Sequence, residues 1–289
     1  MKVQQRAATL DDIPAISELQ ARWDTAWFGA VEESEDEVRE GFARIESLER
    51  DTRMFFDGGR LVGVGLRWRT DTAAVIDPEV DPAPVCAALL PWFSATPPGH
   101  VDVLSRDERL RAALDRAGWR HLRSSFVLVR AVTPDLVLDE PSWPEGITVH
   151  GFSEDDANAV HRLIYVEAGW ADVPGHPHRD FDEWRTIFVT EHTLPDQQVL
   201  ARRGARLVGV AMGRTWDDGT GWISQLATAR DERGRGIGRA LLLEALRRRR
   251  AGGASSLGLS VQAENRGALD MYLAAGLEID RELMQFVPG

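Results

Sequence analysis

Residues 222–250 place a short apolar run, a glycine-rich turn and a long helical segment one after another. The turn reads Arg233-Gly234-Arg235-Gly236-Ile237-Gly238. Glycine lets a backbone approach a ligand closely, and the unpaired N–H groups at the start of the following helix can bind an anion. The stretch therefore indicates an α/β unit whose turn either holds a phosphate or uses its glycines for packing alone.

Length and composition set the broad class. The chain has 289 residues, which suits two domains of about 100 to 150 residues better than one core. No apolar run reaches the roughly 20 residues that a membrane span needs, and residues 1–16 lack the apolar core of a secretory signal. We therefore predict a cytoplasmic two-domain protein with no membrane partner.

Cysteine and charge exclude several kinds of site. Cys86 is the only cysteine, so no internal disulfide or cysteine-based metal cage can form, and its apolar neighbours favour a buried, unreactive thiol. The net charge of −12 argues against nonspecific nucleic-acid binding. The four arginines at 247–250 suit the negative end of a helix dipole better than a nucleic acid. The acidic surface suits a cationic small molecule or peptide, or serves solubility alone.

The two halves of the chain share a short sequence. Arg60-Leu61-Val62-Gly63-Val64 recurs as Arg206-Leu207-Val208-Gly209-Val210, and each copy lies in a predicted hairpin. We interpret the chain as a tandem duplication of an α/β unit. The predicted organisation is a first domain over residues 1–132, a proline-rich acidic linker over 133–146 and a second domain over 147–289.

Periodicity and turn residues predict the elements of both halves. Helices are expected over residues 10–26, 35–50, 84–93, 107–117, 154–169 and 181–189. Strands are expected over residues 72–76, 101–104, 125–131 and 147–150, beside hairpins over 53–68 and 199–216. At the place of the glycine-rich turn, the first half has prolines instead, which lack an N–H to donate to phosphate. We therefore expect the first domain not to bind the same ligand.

A set of motifs in the second half resembles the GCN5-related N-acetyltransferase (GNAT) superfamily. The motifs are Leu226-Ala227-Thr228, then Arg233-x-x-Gly236-x-Gly238, then Asn265-x-x-Ala268-x-x-x-Tyr272-x-x-x-Gly276-Leu277. The two-domain layout is similar to that of tandem acetyltransferases such as the mycothiol synthases. The resemblance covers residues 147–288 well and the first half weakly.

The resemblance implies two tandem acyl-coenzyme A N-acyltransferase domains of mixed α/β class. It implies acetyl-coenzyme A between two parallel strands that end near Thr228 and Val261. The pantetheine arm would pair with Leu226, Ala227 and Thr228. The pyrophosphate would lie on the turn formed by Arg233, Gly234, Arg235, Gly236, Ile237, Gly238 and Arg239.

Two residues after the turn complete the expected site. Asn265 could cap its helix or bind the pantetheine amides. Tyr272 stands at the family's acid position and is the candidate donor of a proton to the departing thiolate. A core aromatic residue on an amphipathic helix is the alternative for Tyr272.

The general base is not evident, because the strand before the turn offers only Ser224 and Gln225 as polar residues. Ordered water or side chains of the loop over residues 170–184 could take this role, or the amine could bind neutral. Candidates for binding the acceptor in that loop are Asp172, His176, His178 and Glu183. The His176-x-His178 pair lacks a carboxylate at metal-ligand spacing, so we predict no metal.

We therefore predict an acetyl-coenzyme A-dependent N-acetyltransferase that is active in its second domain, with a small-molecule amine as acceptor. Two alternatives stay open. The chain could be a coenzyme A-binding regulatory or interaction module without turnover, or an acetyltransferase of protein or peptide amines.

Overall fold

A computed structural model describes residues 3–69, 71–95, 99–173, 176 and 178–289. The chain forms two compact units, one of residues 1–125 with 281–289 and the other of residues 126–280. This division falls inside two strands, β6 (Trp119–Ala131) and β12 (Glu278–Pro288). The units therefore do not follow the linear boundaries at 132 and 147 that the sequence predicts.

The first unit contains a four-stranded antiparallel sheet in the order β1-β2-β3-β4. A fifth strand pairs with β12 in antiparallel register, with Leu104 opposite Leu283. The strands are β1 (Gln4–Arg6), β2 (Thr52–Asp57), β3 (Arg60–Arg67), β4 (Thr72–Ile76) and β5 (Val101–Leu104). The helices are α1 (Ile13–Phe28), α2 (Glu35–Ala43), α3 (Leu48–Asp51), α4 (Ala83–Ser94) and α5 (Glu108–Arg116).

The second unit has strands in the order β11-β10-β9-β8-β7, of which β10 and β11 run parallel and the other pairs antiparallel. The strands are β7 (Ile147–His150), β8 (Val199–Arg203), β9 (Arg206–Thr215), β10 (Thr220–Thr228) and β11 (Ser256–Gln262). The helices are α6 (Ala157–Arg162), α7 (Phe181–Phe188), α8 (Ile237–Ala251) and α9 (Arg266–Ala274). A π-helical turn, Leu163–Glu167, continues α6.

The sheet of the second unit is covered on both faces because alternate side chains of its strands point to opposite sides. One core forms around α8, whose Leu241, Leu242 and Leu246 are fully buried, and includes Ile223 of β10. The other core forms around the π-helical turn and includes Ala227 of the same strand. Strand β10 is therefore held from both sides.

The repeated pentapeptide occupies the same place in both units. Arg60 and Arg206 each begin the second strand of an antiparallel hairpin. Each hairpin also carries a register shift at the matching position, between Phe55 and Phe56 in β2 and between Ala201 and Arg202 in β8. The order hairpin, strand, helix, strand, helix, strand then follows in both halves, which confirms the tandem α/β class.

Three predicted elements differ in extent. The helix predicted over residues 35–50 is wrong as one element, because α2 ends at Ala43 and a separate helix, α3, follows. Ser47 has an extended backbone and caps α3 by accepting a hydrogen bond from the Arg50 N–H at 3.3 Å. The strand predicted from residue 125 begins at Trp119. The helix predicted over 154–169 is a 3-10 turn, α6 and the π-helical turn in succession.

The predicted linker, residues 133–146, has no helix or strand, but it packs against the second unit. Leu138 is buried in the core around α8. Asp139 and Glu140 form ion pairs with Arg239 and Arg247 of α8, both at 2.8 Å. The segment is therefore attached along the helix that follows the glycine-rich turn.

The environment of Cys86 and the character of the helices bear on two predictions from composition. Cys86 is buried, and burial raises the pKa of its thiol to about 12, as expected of an unreactive cysteine. In the part of the chain that the structure describes, no helix combines the length and apolar character that crossing a bilayer requires.

Candidate active site

Strands β10 and β11 separate part-way along their length. Their parallel pairing runs from Thr220 opposite Ser256 to Ile223 opposite Leu259 and goes no further. On its other side β10 stays paired with β9 as far as Thr228. The edge of β10 over residues 224–228 that faces β11 therefore pairs with no strand among the described residues, and Leu226, Ala227 and Thr228 lie on it.

A β-bulge marks the start of this open edge. The register with β9 shifts between Ile223 and Gln225, so Ser224 is the additional residue. Gln225 is buried, and its Oε1 accepts a hydrogen bond from Nε1 of Trp184 in α7 at 3.0 Å. One of the two polar side chains at the bulge is thus a neutral amide that is hydrogen-bonded to a tryptophan.

The glycine-rich turn follows directly. A 3-10 turn, Arg230–Glu232, leads to Gly234 and Gly236, whose φ angles of +74° and +87° lie in the left-handed region that favours glycine. Helix α8 begins at Ile237, and no side chain caps it. A Cβ on Gly238 would lie 3.6 Å from Oγ1 of Thr228 and 3.7 Å from Sδ of Met271, so the turn brings β10, α8 and α9 close together.

The arginines of the turn have protein partners. Arg233 donates to the Ala168 carbonyl at 2.6 Å, at the end of the π-helical turn. Arg235 lies 3.3 Å from Glu232, whose pKa is lowered chiefly by its hydrogen bond with Arg203. Arg239 is half-exposed beside Asp139. Arg235 and Arg239 therefore keep solvent-accessible charge at the turn, whereas Arg233 ties the glycine-rich turn to the end of the π-helical turn.

Helix α9 supplies the two residues predicted after the turn. Asn265 caps it, because its Oδ1 accepts a hydrogen bond from the Ala268 N–H at 3.3 Å. Tyr272 is only 6% exposed and belongs to the core around α8. Burial raises the pKa of Tyr272 to about 12, so its hydroxyl stays protonated throughout the neutral range.

The predicted acceptor residues lie in three places. His176 and His178 both pack against the buried Tyr165, with ring centroids 6.4 and 5.4 Å from it. Asp172 is instead paired with Arg230 at 2.5 Å, next to the glycine-rich turn. Glu183 lies in the first turn of α7, where its N–H donates to Asp180. Within the described ranges no three His, Cys, Asp or Glu side chains are grouped so as to hold a metal ion.

Three features escaped the sequence analysis. The bond between Trp184 and Gln225 joins positions 41 residues apart, and no local pattern signals it. The π-helical turn that carries Tyr165 replaces a regular helix at a place where such turns often accompany function. Arg249 is completely buried and donates hydrogen bonds to the carbonyls of Trp222, Gln197 and Ala245. The sequence does carry a signal for this burial, because Arg249 follows the apolar Ala245 and Leu246 by four and three residues and so lies on the apolar face of α8.

Comparison with known proteins shows what the second unit is similar to. Residues 159–277 match the model of the acetyltransferase (GNAT) family. This stretch of the second unit is therefore similar to GNAT acetyltransferases. The chain is 27% identical to a mycothiol acetyltransferase of Saccharopolyspora erythraea over 285 residues, which cover 92% of this chain and 86% of that protein.

Solved GNAT structures share the fold along almost the whole chain. A GCN5-related N-acetyltransferase from Sphaerobacter thermophilus has a TM-score of 0.81 at 23% identity and covers 98% of this chain and 94% of its own. A tandem GNAT protein from the clavulanic acid biosynthesis pathway has a TM-score of 0.71 at 15% identity, with 99% and 98% covered. GNAT acetyltransferases use acetyl-coenzyme A as a cosubstrate, and the tandem arrangement of this chain is shared with a solved relative.

Proposed function

We propose that this chain transfers an acetyl group from acetyl-coenzyme A to the primary amine of a small molecule, in its second unit. The open edge of β10, residues 224–228, carries the proposal, because it leads directly into the glycine-rich turn. An extended chain with amide groups, such as the pantetheine arm, can pair with an open strand edge. A pyrophosphate suits the N–H groups at the start of α8. The two elements are consecutive, so one ligand can occupy both.

The residues present fit coenzyme A. The turn has open space beside Gly234 and Gly236, because no atom lies within 4 Å of the position that a Cβ would take on either residue. Leu226, Ala227 and Thr228 would hold the pantetheine arm, and residues 233–239 the pyrophosphate. Asn265 is engaged as a helix cap, so we assign it to positioning α9. When bound, acetyl-coenzyme A supplies an acetyl group activated as a thioester.

Tyr272 is proposed as the general acid. Its raised pKa keeps a proton on the hydroxyl, so this group can donate to the sulfur on which negative charge develops as the thioester breaks. Backbone N–H groups on the open edge of β10 are proposed to polarise the acetyl carbonyl, since preorganised donors act strongly where water is excluded.

The acceptor is proposed to bind on the side of β10 that faces α7 and the π-helical turn. Trp184 contacts Gln225 of β10, and His161 in turn packs against both Trp184 and Tyr165. The rings of His176 and His178 also pack against Tyr165. Imidazole, unlike the Gln225 amide, can take the proton that an amine releases. We therefore propose these two histidines, with Asp172 and Glu183 nearby in sequence, as the residues that receive the amine.

An assay of coenzyme A release tests this function. The purified chain is mixed with acetyl-coenzyme A and single amines from a panel of polyamines, amino sugars, amino acids and peptides with a free N-terminus. Thiol-containing amines belong in the panel because the relative from S. erythraea is named for mycothiol. Release with acetylation of a small amine supports the proposal. Release with peptides alone would move the acceptor to protein amines, and tight binding with no release would favour a binding module.

A further inference from the structure

The segment 133–146 reaches the start of α8, where the glycine-rich turn ends. Besides the buried Leu138 and the ion pairs of Asp139 and Glu140, the Glu145 carbonyl accepts a hydrogen bond from Arg203 at 2.8 Å. Trp143 packs partly against the core around α8. These attachments fix Trp143 beside the turn rather than leaving it on a free tether.

A cavity of about 280 Å³ lies between this segment and the turn. Trp143 and Pro144 line it on one side, and Arg235, Gly236 and Arg239 on the other. An aromatic ring and a proline offer a flat apolar surface to a planar base, and two guanidinium groups offer hydrogen bonds to a phosphate. The volume is near the lower end of roughly 300 to 1,000 Å³ for small-molecule sites, so it suits one part of a larger ligand.

We infer that this segment completes the nucleotide end of the cofactor site, with Trp143 stacking on the adenine ring of coenzyme A and Arg239 binding its 3′-phosphate. The inference rests on the proposed function, which places the pyrophosphate on the turn. The nucleotide continues from the pyrophosphate, and this cavity adjoins Gly236 directly. The connection between the two repeats would thus determine which acyl carriers the enzyme accepts.

The pair of Arg239 with Asp139 makes the inference specific. Both side chains are largely exposed, at 45% and 64%, and exposed ion pairs contribute little stability. A phosphate, which accepts charge-assisted hydrogen bonds from arginine, can therefore compete with the Asp139 carboxylate. That carboxylate also repels the phosphate, so removing its charge should strengthen binding of a ligand that carries the 3′-phosphate.

Calorimetric titration with coenzyme A and with dephospho-coenzyme A, which lacks the 3′-phosphate, tests the assignment. We expect the wild-type chain to bind coenzyme A about 10- to 100-fold more tightly, as hydrogen bonds to charged groups imply. Arg239→Gln should remove this preference, and Asp139→Asn should increase it several-fold. Trp143→Ala should weaken both ligands alike by about 5- to 100-fold, the range for loss of one stacked base, whereas Trp143→Phe should restore most of the affinity.

Wild-type dissociation constants for both ligands in Arg239→Gln and Trp143→Ala would overturn the inference and leave the proposed function intact. Failure of the wild-type chain to bind either ligand would overturn both. Because Trp143 packs on a core, thermal unfolding of Trp143→Ala is measured in parallel. If Trp143→Ala fails to fold, the surface variants Arg239→Gln and Asp139→Asn still decide whether the inference holds.

Discussion

The two units place different chemistry at the same point of the same fold. After β10 come Arg230, Arg233 and Arg235, with Gly234 and Gly236 in left-handed conformation. After β4 come the acids Asp77, Glu79 and Asp81, with Pro78 between the first two, and Pro82 and Pro84 stand at the start of α4. One helix start offers N–H groups and positive charge, whereas the other has lost two N–H groups and gained negative charge.

An open strand edge does not distinguish the second unit from the first. In the first unit β4 pairs only with β3, so its other edge is also open among the described residues. A cavity of about 370 Å³ lies at the end of β4, and its lining includes three acids and two arginines: Asp77, Asp107, Glu108, Arg106 and Arg109. Asp77 is held there by Arg22 and Arg60 at 3.2 and 2.7 Å. An open strand edge therefore occurs in both units, and we propose that the residues of the turn decide whether an anion is accepted.

The largest effect is expected from placing a carboxylate in the glycine-rich turn of the second unit, as in the acidic segment that follows β4 in the first unit. Gly236→Asp should weaken coenzyme A binding at least about 100-fold, because a carboxylate opposite the pyrophosphate adds like-charge repulsion of several kcal/mol. Gly253→Asp is the matched control, since Gly253 also has positive φ and open space and lies beyond the other end of α8. Both variants should lose similar stability. Equal affinities of Gly236→Asp and Gly253→Asp for coenzyme A would contradict the assignment of the glycine-rich turn to the pyrophosphate.

The next effect concerns the chemical step. Tyr272→Phe should lower kcat by about 100-fold, at the lower end of what a general acid contributes, and should change KM for acetyl-coenzyme A little. Tyr165→Phe, the corresponding change at the only other tyrosine, should act mainly on KM for the amine, because Tyr165 lies on the proposed acceptor side. Steady-state kinetics separates the two. An unchanged kcat in Tyr272→Phe would make that tyrosine a core residue only.

The smallest effect concerns one carboxylate of the first unit, Glu33, which differs from Asp12 and Asp51 of the same unit because hydrogen-bonded arginines lower the pKa of those two. In the second unit Asp156, Glu167 and Glu232 have lowered pKa values because arginines pair with them. In the first unit burial, with Asp24 and Glu37 close by, raises the pKa of Glu33 to about 7. The folded chain therefore holds this proton more tightly than the unfolded chain, and Glu33 reduces the stability as pH rises from about 4.3 to 7.

Glu33→Gln should accordingly raise the free energy of unfolding by about 1 to 2 kcal/mol at pH 8 and by much less at pH 5. The exposed Glu49, changed to Gln, should have little effect at either pH. Urea unfolding at the two pH values measures both. A gain for Glu33→Gln that is the same at pH 5 and pH 8 would contradict the raised pKa.

Local patterns predicted much of this molecule, and long-range contacts account for what they missed. The strands at 72–76 and 101–104 and the glycine-rich turn follow from alternation and backbone preference, which act over a few residues. The attachment of residues 133–146 to α8 and the Trp184 to Gln225 hydrogen bond join residues far apart in sequence. Composition alone therefore predicted a linker, and only tertiary contacts show where it packs.

The boundaries of the compact units illustrate the same limit. Residues 281–289 belong with residues 1–125, because the end of β12 pairs with β5. Pairing of this kind depends on which strands meet rather than on the composition of any one segment. The predicted domain boundaries at residues 132 and 147 describe the repeat in the sequence, whereas the contacts group the chain differently.

The number of acetyl-coenzyme A sites per chain tests the central claim most directly. Calorimetric titration of the wild-type chain should give one site, and the same titration of Gly236→Asp should give none with comparable affinity. Two sites per chain, or a single site that survives Gly236→Asp unchanged, would contradict the claim that the second unit alone carries the turn that holds the cofactor.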